Sequence, residues 1–366
     1  MKKTILMATG AIVAAGLSAV EAQAIDVEVY GQVNKGVMVF DDGQSTEFNI
    51  VDNDRSSTRF GFKGSAALDN GLVASVLFEN EMESASSNGI TQSTGAGVAS
   101  TPTSNGSTSF VERQARVGLA GDFGAIFIGQ QSVATDGAME QDLVGVSNAM
   151  NQDIEDIGGG LQFRNSAGGL TGTTVSNAFA DPDGARGDAI AYVTPTVNGF
   201  TGVIDAAQGG DIDAAVKYSG KMDAVAVKGA LGYRAVNSQN AAANNNAEDV
   251  IMGSVSAKHD NGLAGTIAYA QTSLNNKAVG VEDPENLYVK VGYAWDAFEV
   301  AADYANADNN IVQVTDNELT SYGVGGQVNM GKGVSVAAYY RQFDLDLAGT
   351  ATDELNIYGV NLRVKF

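Results

Sequence analysis

Two kinds of connection alternate along this chain, and the segments between them have the periodicity of β-strands. From residue 26 onward, segments of about ten residues carry apolar side chains at every second position, and helical periodicity is nearly absent. The short connections each hold a Gly, Asn or Asp, the residues that tolerate the positive φ of a hairpin turn. They lie at 69–71, 121–124, 197–199, 220–223, 260–262, 295–298 and 331–333.

The other connections are longer and rich in Asp, Asn, Ser and Gly. They fall near 42–54, 84–109, 131–187, 209–212, 235–248, 275–285, 307–317 and 345–352. Seven short turns and eight loops join sixteen strands, with both chain ends on the short-turn side. This is the plan of a membrane barrel, and tilted strands of about ten residues cross a bilayer. The predicted fold is all-β: a 16-stranded antiparallel transmembrane β-barrel.

Individual strands divide into an apolar and a more polar face. In residues 286–295, Leu287, Val289 and Val291 share one face, and Lys290 lies on the other. A soluble sandwich would turn the apolar face inward, whereas a membrane barrel turns it toward lipid. Periodicity alone does not separate these alternatives. The aromatic residues near the turn at 295–298 and the regular alternation of connections favour the membrane.

The N-terminus has the three parts of a secretory signal. Lys2 and Lys3 precede an apolar stretch at 5–20, and Ala22-Gln23-Ala24 is a small-residue cleavage site. We therefore expect residues 1–24 to be a signal peptide that is removed, and residues 25–366 to form the barrel. The protein is predicted to be exported.

Composition excludes several function classes. The chain has 43 acidic and 21 basic residues, a net charge of −22, no Cys and one His. Nucleic acid is an unsuitable partner for so negative a protein. No catalytic triad or tetrahedral zinc site is supported, so we predict that the protein is not an enzyme. We expect no cofactor, although Ca²⁺ is conceivable at acidic pairs such as Asp52/Asp54 or Asp181/Asp183.

The chain ends on a strand, 355–366, whose last residue is Phe366. Tyr358, Val360, Leu362 and Val364 share its face. Bilayer hydrocarbon offers no partner to a free strand edge, so the sheet must close on itself. This strand is predicted to pair with the first one, at 27–40, with the apolar face toward lipid or a neighbouring subunit.

Several segments together resemble the general diffusion porins of Gram-negative outer membranes. The similarity covers about residues 25–366. It rests on "VYGQV" at 29–33, "STRFGFKG" at 57–64, "RQARVGLAGDFGAIFIGQQ" at 113–131, "IAYVTPTVNGF" at 190–200 and the terminal strand. The resemblance implies an outer-membrane homotrimer, surrounded by lipid, that passes small hydrophilic solutes and ions by passive diffusion. It also implies that Phe366, with Tyr358, is read by the barrel-assembly machinery.

The resemblance further implies that the third loop, 131–187, folds into the barrel and narrows the pore. Its acidic side chains then face basic residues on the opposite wall. The matching carboxylates are Asp136, Glu140 and Asp142. The matching basic residues are Arg59, Arg113 and a third, either Arg164 or, preferably, Arg186; strand parity adds Arg55 and Lys63.

Two basic residues depart from this pattern. A simple parity count places Lys35 and Arg116 on the outward face, so either they have partners in a subunit contact or the count fails there. Residues 161–185 match nothing that predicts their path. The negative charge favours a mild preference for cations. Two alternatives remain: a substrate-specific channel, and a structural or adhesive barrel plugged by its long loop.

Overall fold

The computed structural model describes residues 25–92, 110–237, 246–275, 277–311 and 314–366. The predicted signal peptide lies outside these residues, as do parts of the second, fifth, sixth and seventh predicted loops. No helix in the described ranges is long and apolar enough to cross a membrane.

Antiparallel strands make up nearly all of the described structure, together with one helix of four residues, α1 (Val175–Ala178). The strands are β1 (Asp26–Asp41), β2 (Thr46–Asp52), β3 (Arg59–Ala67), β4 (Val73–Glu81), β5 (Val111–Gly121), β6 (Gly124–Ser132), β7 (Gln162–Arg164), β8 (Leu170–Thr174), β9 (Arg186–Val193), β10 (Phe200–Ala207), β11 (Ile212–Met222), β12 (Val225–Ala235), β13 (Ala247–His259), β14 (Leu263–Leu274), β15 (Glu285–Trp295), β16 (Phe298–Asp308), β17 (Asn317–Gly331), β18 (Val334–Leu347) and β19 (Leu355–Lys365).

One sheet closes on itself, because β19 pairs with β1. Both β2 and β3 pair with β1, along different halves of it. They are two parts of one wall strand, so the wall has sixteen strands and the predicted barrel is confirmed. Strands β7 and β8 form a separate hairpin within the third loop.

The predicted first loop, 42–54, is wrong in detail. Residues 46–52 form β2, and only 42–45 and the stretch around a 3₁₀ turn at Asp54–Ser56 are irregular. Phe48 and Ile50 point outward in this strand and are 64% and 67% exposed. The polar residues around them gave the segment the composition of a loop, although its alternation is that of a strand.

The two faces of the wall differ in the way a membrane requires. Val289 and Val291 are 39% and 53% exposed on the outside of β15, whereas Tyr288 and Lys290 are 1% exposed on the inside. A soluble sandwich buries its apolar face, so this arrangement argues against that alternative. At the turn after β15, the rings of Tyr293, Trp295 and Phe298 stack with centroids 5.8 and 5.6 Å apart.

The terminal strand closes the barrel as predicted. The backbone N–H of Phe366 donates to the carbonyl of Gly31, and the N–H of Gly31 donates to the carbonyl of Phe366, both at 3.0 Å. A Cβ on Gly31 would lie 2.7 Å from the Phe366 ring. Glycine has no Cβ and therefore leaves room for the ring at this position of β1.

Candidate functional site

The segment between β6 and β9, residues 133–185, is bound to the inner face of the wall by side-chain hydrogen bonds. The backbone N–H groups of Gln141 and Leu143 donate to the hydroxyls of Ser254 and Ser256 at 3.0 and 2.9 Å. Further along, the N–H of Val146 donates to Glu299 at 2.9 Å. Successive residues of the segment therefore meet successive strands around the barrel.

Lys290 is the strongest of these attachments. Its ammonium group donates to Asp142 Oδ2, to the carbonyl of Gly145 and to the carbonyl of Met150, at 2.7, 2.6 and 2.7 Å. The side chain is 0% exposed. All three ammonium protons are used, which is the condition under which a buried lysine is tolerated.

An apolar core inside the barrel completes the attachment. Buried residues of the segment, including Met139, Val144, Met150 and Ile157, pack with inner-face residues of the wall. A Cβ on Gly292 would lie 2.4 Å from Val144 Cγ1. The wall approaches the segment closely only because small residues line it there. They include Ala264, Ala268, Gly292, Ala301, Ala305, Gly325 and Ala337.

The sequence does contain a sign of this apolar packing, namely small residues on the inner face of consecutive strands. In β14 to β18, several inner-face positions hold Ala or Gly where a water-filled lumen needs polar side chains. Small apolar residues on the lumen face of consecutive strands indicate that a protein segment packs against them. The partner segment itself shows no regular period, so its path was not predictable.

Arg55 does not line the pore beside Arg59, contrary to the parity prediction. It belongs to the 3₁₀ turn between β2 and β3, where strand parity no longer applies. Its side chain is 1% exposed, and its Nη2 donates to the Asp153 carbonyl at 2.7 Å and to Asp156 Oδ2 at 3.2 Å. Arg55 thus neutralises carboxylates of the third loop.

Asp142 is likewise engaged in holding the segment. Besides Lys290, it accepts a hydrogen bond from the Thr266 hydroxyl at 2.7 Å, and its side chain is 11% exposed. The resemblance implied a carboxylate facing the pore at this position. The structure instead places it against the wall, because Lys290 reaches it from the inner face of β15.

Asp136, another predicted acidic residue, lies near basic residues of the wall. Burial raises the pKa of Asp136, and the nearby charges of Arg186 and Lys217 oppose that rise. Lys217 Nζ donates to the Asp136 carbonyl at 3.1 Å. Glu140 and Arg186 are exposed.

The basic wall is interleaved with carboxylates. Arg113 Nε lies 2.9 Å from Glu79 Oε1 and its Nη1 contacts Glu81, while Arg59 Nε lies 3.6 Å from Glu79 Oε2. Electrostatic interactions link Arg59 to both Arg113 and Arg186. The cations thus form one group, and its charge is partly compensated by the wall itself.

Arg164, the alternative third rung, lies elsewhere. Its Nε donates to Asp42 Oδ2 at 2.7 Å, which ties the β7–β8 hairpin to the first loop.

A cavity of about 680 Å³ lies beside the third loop, with Asp26, Lys63, Arg116, Asp136 and Lys217 among its lining residues. Lys63 Nζ lies 3.3 Å from Glu28. Lys63 therefore lines the same cavity as Asp136, a residue of the predicted constriction.

A β-bulge explains why the parity count failed for Arg116. Glu79 pairs with Gln114 but Asn80 pairs with Glu112, which leaves Arg113 as the extra residue. The extra residue lets both Arg113 and Arg116 point inward although they are three apart. The Arg116 guanidinium lies 4.4 Å from the centroid of the Phe127 ring.

Lys35 keeps the outward parity and has partners within its own chain. Its ammonium group contacts the Asp52 carboxylate and donates to Ser84 Oγ at 2.8 Å. Asp52 is therefore engaged by a lysine.

Two groups of carboxylates in the described part of the chain are spaced to hold a metal ion. They are Asp54, Glu81 and Glu83, and Asp153, Glu155 and Asp181; within each group the oxygens lie within 4.8 Å of one another. In the first group, burial and the neighbouring Asp54 and Glu81 raise the pKa of Glu83 to about 9. A proton on Glu83 relieves the repulsion there.

The barrel resembles solved structures of a porin and of other outer-membrane proteins. An anion-selective porin from Comamonas acidovorans superposes with a TM-score of 0.62 at 18% identity, over 94% of this chain and 100% of that chain. The trimer form of OmpT from Vibrio cholerae gives 0.58 at 14% identity, over 94% and 100%. DcaP from Acinetobacter baumannii gives 0.59 at 11% identity, over 96% and 100%.

A comparison with curated protein sequences finds no match. The profile of the Gram-negative porin family, in contrast, matches residues 7–348, nearly the whole chain. The match agrees with the closed sixteen-stranded wall and with the exposed apolar outer face. The chain belongs to the Gram-negative porin family and is an outer-membrane channel protein.

Proposed function

We propose that this porin conducts small hydrophilic solutes and ions by passive diffusion through a constriction between its third loop and the β3–β9 side of the wall. The observation that carries the proposal is the approach of Asp136 to Arg186 and Lys217, with Arg59 and Arg113 linked to the same group of charges. Because the loop packs on the opposite side of the barrel, the passage is limited to one side.

Opposed charges on two sides of a narrow passage create a transverse field. Water and dipolar solutes orient in that field, and an apolar solute must displace oriented water to pass. Low-dielectric walls strengthen the field, as they do in charged clefts. The arrangement therefore favours polar solutes and limits their size.

The ion preference follows from the excess of carboxylates. The net charge is −22, and Asp181 and Asp183 lie on the returning limb of the loop near Asp136 and Glu140. We propose a mild preference for cations, moderated by the basic wall.

Assembly into a homotrimer is proposed from the exposed apolar face and from the trimeric solved relative. Outer-membrane lipid would cover the remaining apolar surface. The barrel-assembly machinery would recognise Phe366 with Tyr358, which are 67% and 51% exposed on the outward face of the last strand.

Single-channel recording in planar bilayers tests this function. We expect steady conductance with three closing steps per insertion, and a reversal potential in a KCl gradient that shows weak cation preference. Clear anion preference would refute the ion selectivity. Saturable block by one sugar or anion would indicate a substrate-specific channel, and the lack of any conductance a structural or adhesive barrel.

A further inference from the structure

We propose that the fixed charge along the channel changes sign on the barrel axis, from negative on the long-loop side to positive on the short-turn side, and that the channel therefore rectifies ionic current. In outer-membrane barrels the long loops are extracellular and the short turns periplasmic. The proposal rests on the proposed function in requiring an open channel. It adds the residues that make current depend on its direction.

The positive charge comes from basic side chains on the inner face of the wall, between the predicted constriction and the short turns. Lys63 and Arg116 lie four and three residues beyond Arg59 and Arg113, on strands that run toward the short turns. Both line the cavity of about 680 Å³ that reaches Asp26 at the start of β1. The whole group, here called the short-turn cations, includes Lys63, Arg116, Lys258, Arg363 and Lys365.

Strand pairing shows that Lys258 and Arg363 face the lumen. Lys258 stands opposite Ala264, which is 3% exposed and belongs to the core inside the barrel. Arg363 stands opposite Asn34, whose side-chain amide donates to Asn148 of the third loop at 3.2 Å. Directly opposed residues of an antiparallel pair share a face of the sheet, so both cations point inward.

Carboxylates on this part of the inner face are few, and two of them have partners. Glu28 lies 3.3 Å from Lys63 Nζ, and Glu299 accepts the backbone N–H of Val146 at 2.9 Å. Asp26 is exposed at the start of β1. These carboxylates offset only part of the positive charge.

Three of the short-turn cations are not paired. Across the ranges that the structure describes, no carboxylate forms an ion pair with Arg116, Lys258 or Arg363. Beyond the strand ends, at the rim of the barrel, lie the aspartates of the short turns, Asp69, Asp122, Asp223, Asp260 and Asp296. The inner wall itself therefore carries net positive charge here.

The long-loop side has the opposite charge. Without Lys2, Lys3 and Glu21 of the predicted signal peptide, the chain carries 42 acidic and 19 basic residues. Apart from the carboxylates just named, the acidic residues lie at the constriction, under the third loop or toward the long loops. Among them, Glu140 and Asp181 are exposed on the third loop.

The two regions are far enough apart to act separately. Lys258 and Glu248, near opposite ends of β13, are ten residues apart, which is about 33 Å along a strand. The Debye length is about 10 Å in 0.1 M salt. Each region therefore sets the ion concentrations in its own part of the channel.

Two regions of opposite fixed charge in series make the current depend on its direction. Cations are the main mobile ions beside the carboxylates, and anions are the main mobile ions beside the short-turn cations. When the extracellular side is positive, both kinds of ion move toward the boundary between the regions and accumulate there, which raises the conductance. When that side is negative, both kinds leave the boundary, which lowers the conductance.

Single-channel currents in planar bilayers test the proposal. The chain has no Cys, so Ala348→Cys, at an exposed position in the loop between β18 and β19, takes a biotin label. Streptavidin added to one chamber then reports which chamber this loop faces. A wall potential of about one kT changes the local concentration of a monovalent ion about threefold, so in 0.1 M KCl we expect the initial current to be about 1.5–3 times larger with the extracellular side positive.

Salt and charge variants identify the cause of the asymmetry. In 1 M KCl, where the Debye length is about 3 Å, the ratio of the two currents should fall to about one. In dilute KCl, Lys258→Glu/Arg363→Glu should also bring the ratio close to unity. Lys332→Glu, a charge reversal at the exposed turn between β17 and β18, is the control and should keep the native ratio.

Equal currents in the two directions in dilute KCl, or a larger current with the extracellular side negative, overturn the proposal. Equal ratios in Lys258→Glu/Arg363→Glu and Lys332→Glu do so as well. An asymmetry that persists in 1 M KCl also contradicts it, because wall charge is then not the cause. If the double variant does not assemble, Lys258→Glu alone must lower the ratio. A conducting channel with equal currents leaves the proposed function intact, whereas the lack of any conductance overturns both.

Discussion

Replacing Lys290 with Met removes the main polar anchor of the third loop while keeping a side chain of similar length. Three acceptors lose their donor: the carboxylate of Asp142 and the carbonyls of Gly145 and Met150. Asp142 keeps only its contact with Thr266 outside its own segment. Because these groups lie against an apolar core, solvent does not replace the lost bonds.

Breaking a buried ion pair by removing one partner costs about 3–5 kcal/mol. Since 1.4 kcal/mol corresponds to a factor of ten, the docked state of the loop should lose about 10²–10⁴-fold in population relative to the undocked one. The barrel closure between β1 and β19 does not involve Lys290, so we expect the wall to remain folded.

Single-channel recording should therefore show a noisier open state with higher-conductance excursions in Lys290→Met. Lys228→Met is the matched control, because it removes a lysine from β12 that makes no ion pair within the described ranges. A double-mutant cycle with Asp142→Asn then isolates the pair, and we expect a coupling free energy of at least about 1 kcal/mol in thermal unfolding. The reasoning is refuted if Lys290→Met and Lys228→Met have the same conductance and noise.

Three further predictions follow from other parts of the structure. Arg186→Ser removes an exposed cation next to Asp136 and should shift the reversal potential toward cations, whereas Arg164→Ser, in the β7–β8 hairpin, should not. Gly31→Val, whose Cβ would meet the Phe366 ring, should reduce assembled, heat-modifiable protein as deletion of Phe366 does; unchanged assembly in both would contradict the closing role of the terminus. Glu83 has its pKa raised from 4.5 to about 9, so its protonated form contributes stability that is complete below pH 4.5 and is lost as the pH rises through 9. The unfolding midpoint should then fall more between pH 7 and 10 in the native protein than in Glu83→Gln, and parallel curves would exclude this explanation.

The wall of this protein was predictable because its determinants are local. Alternation of side chains along each strand sets the two faces, and short turns with Gly, Asn or Asp set the hairpins. Asn198 and Asp296, at two of these turns, have φ of 52° and 49°. Closure follows from Phe366 and its partner Gly31, since a membrane sheet cannot leave an edge unpaired.

Parity failed where the strands are irregular. The bulge at Arg113 breaks the alternation between Arg113 and Arg116, so both point inward, and the 3₁₀ turn removes Arg55 from the wall face. An extra residue changes the direction of every side chain beyond it, and nothing in the local composition marks its place.

The arrangement of the third loop was decided only by tertiary structure. Its acidic composition was visible in the sequence, but which carboxylate faces water depended on partners from distant strands. Lys290, 148 residues away along the chain, draws Asp142 to the wall, while Asp136 lies near Arg186 and Lys217. Strand periodicity thus determined the barrel from sequence alone. The loop has no period, so its contacts, and the charges left to face the passage, follow from packing against the closed wall.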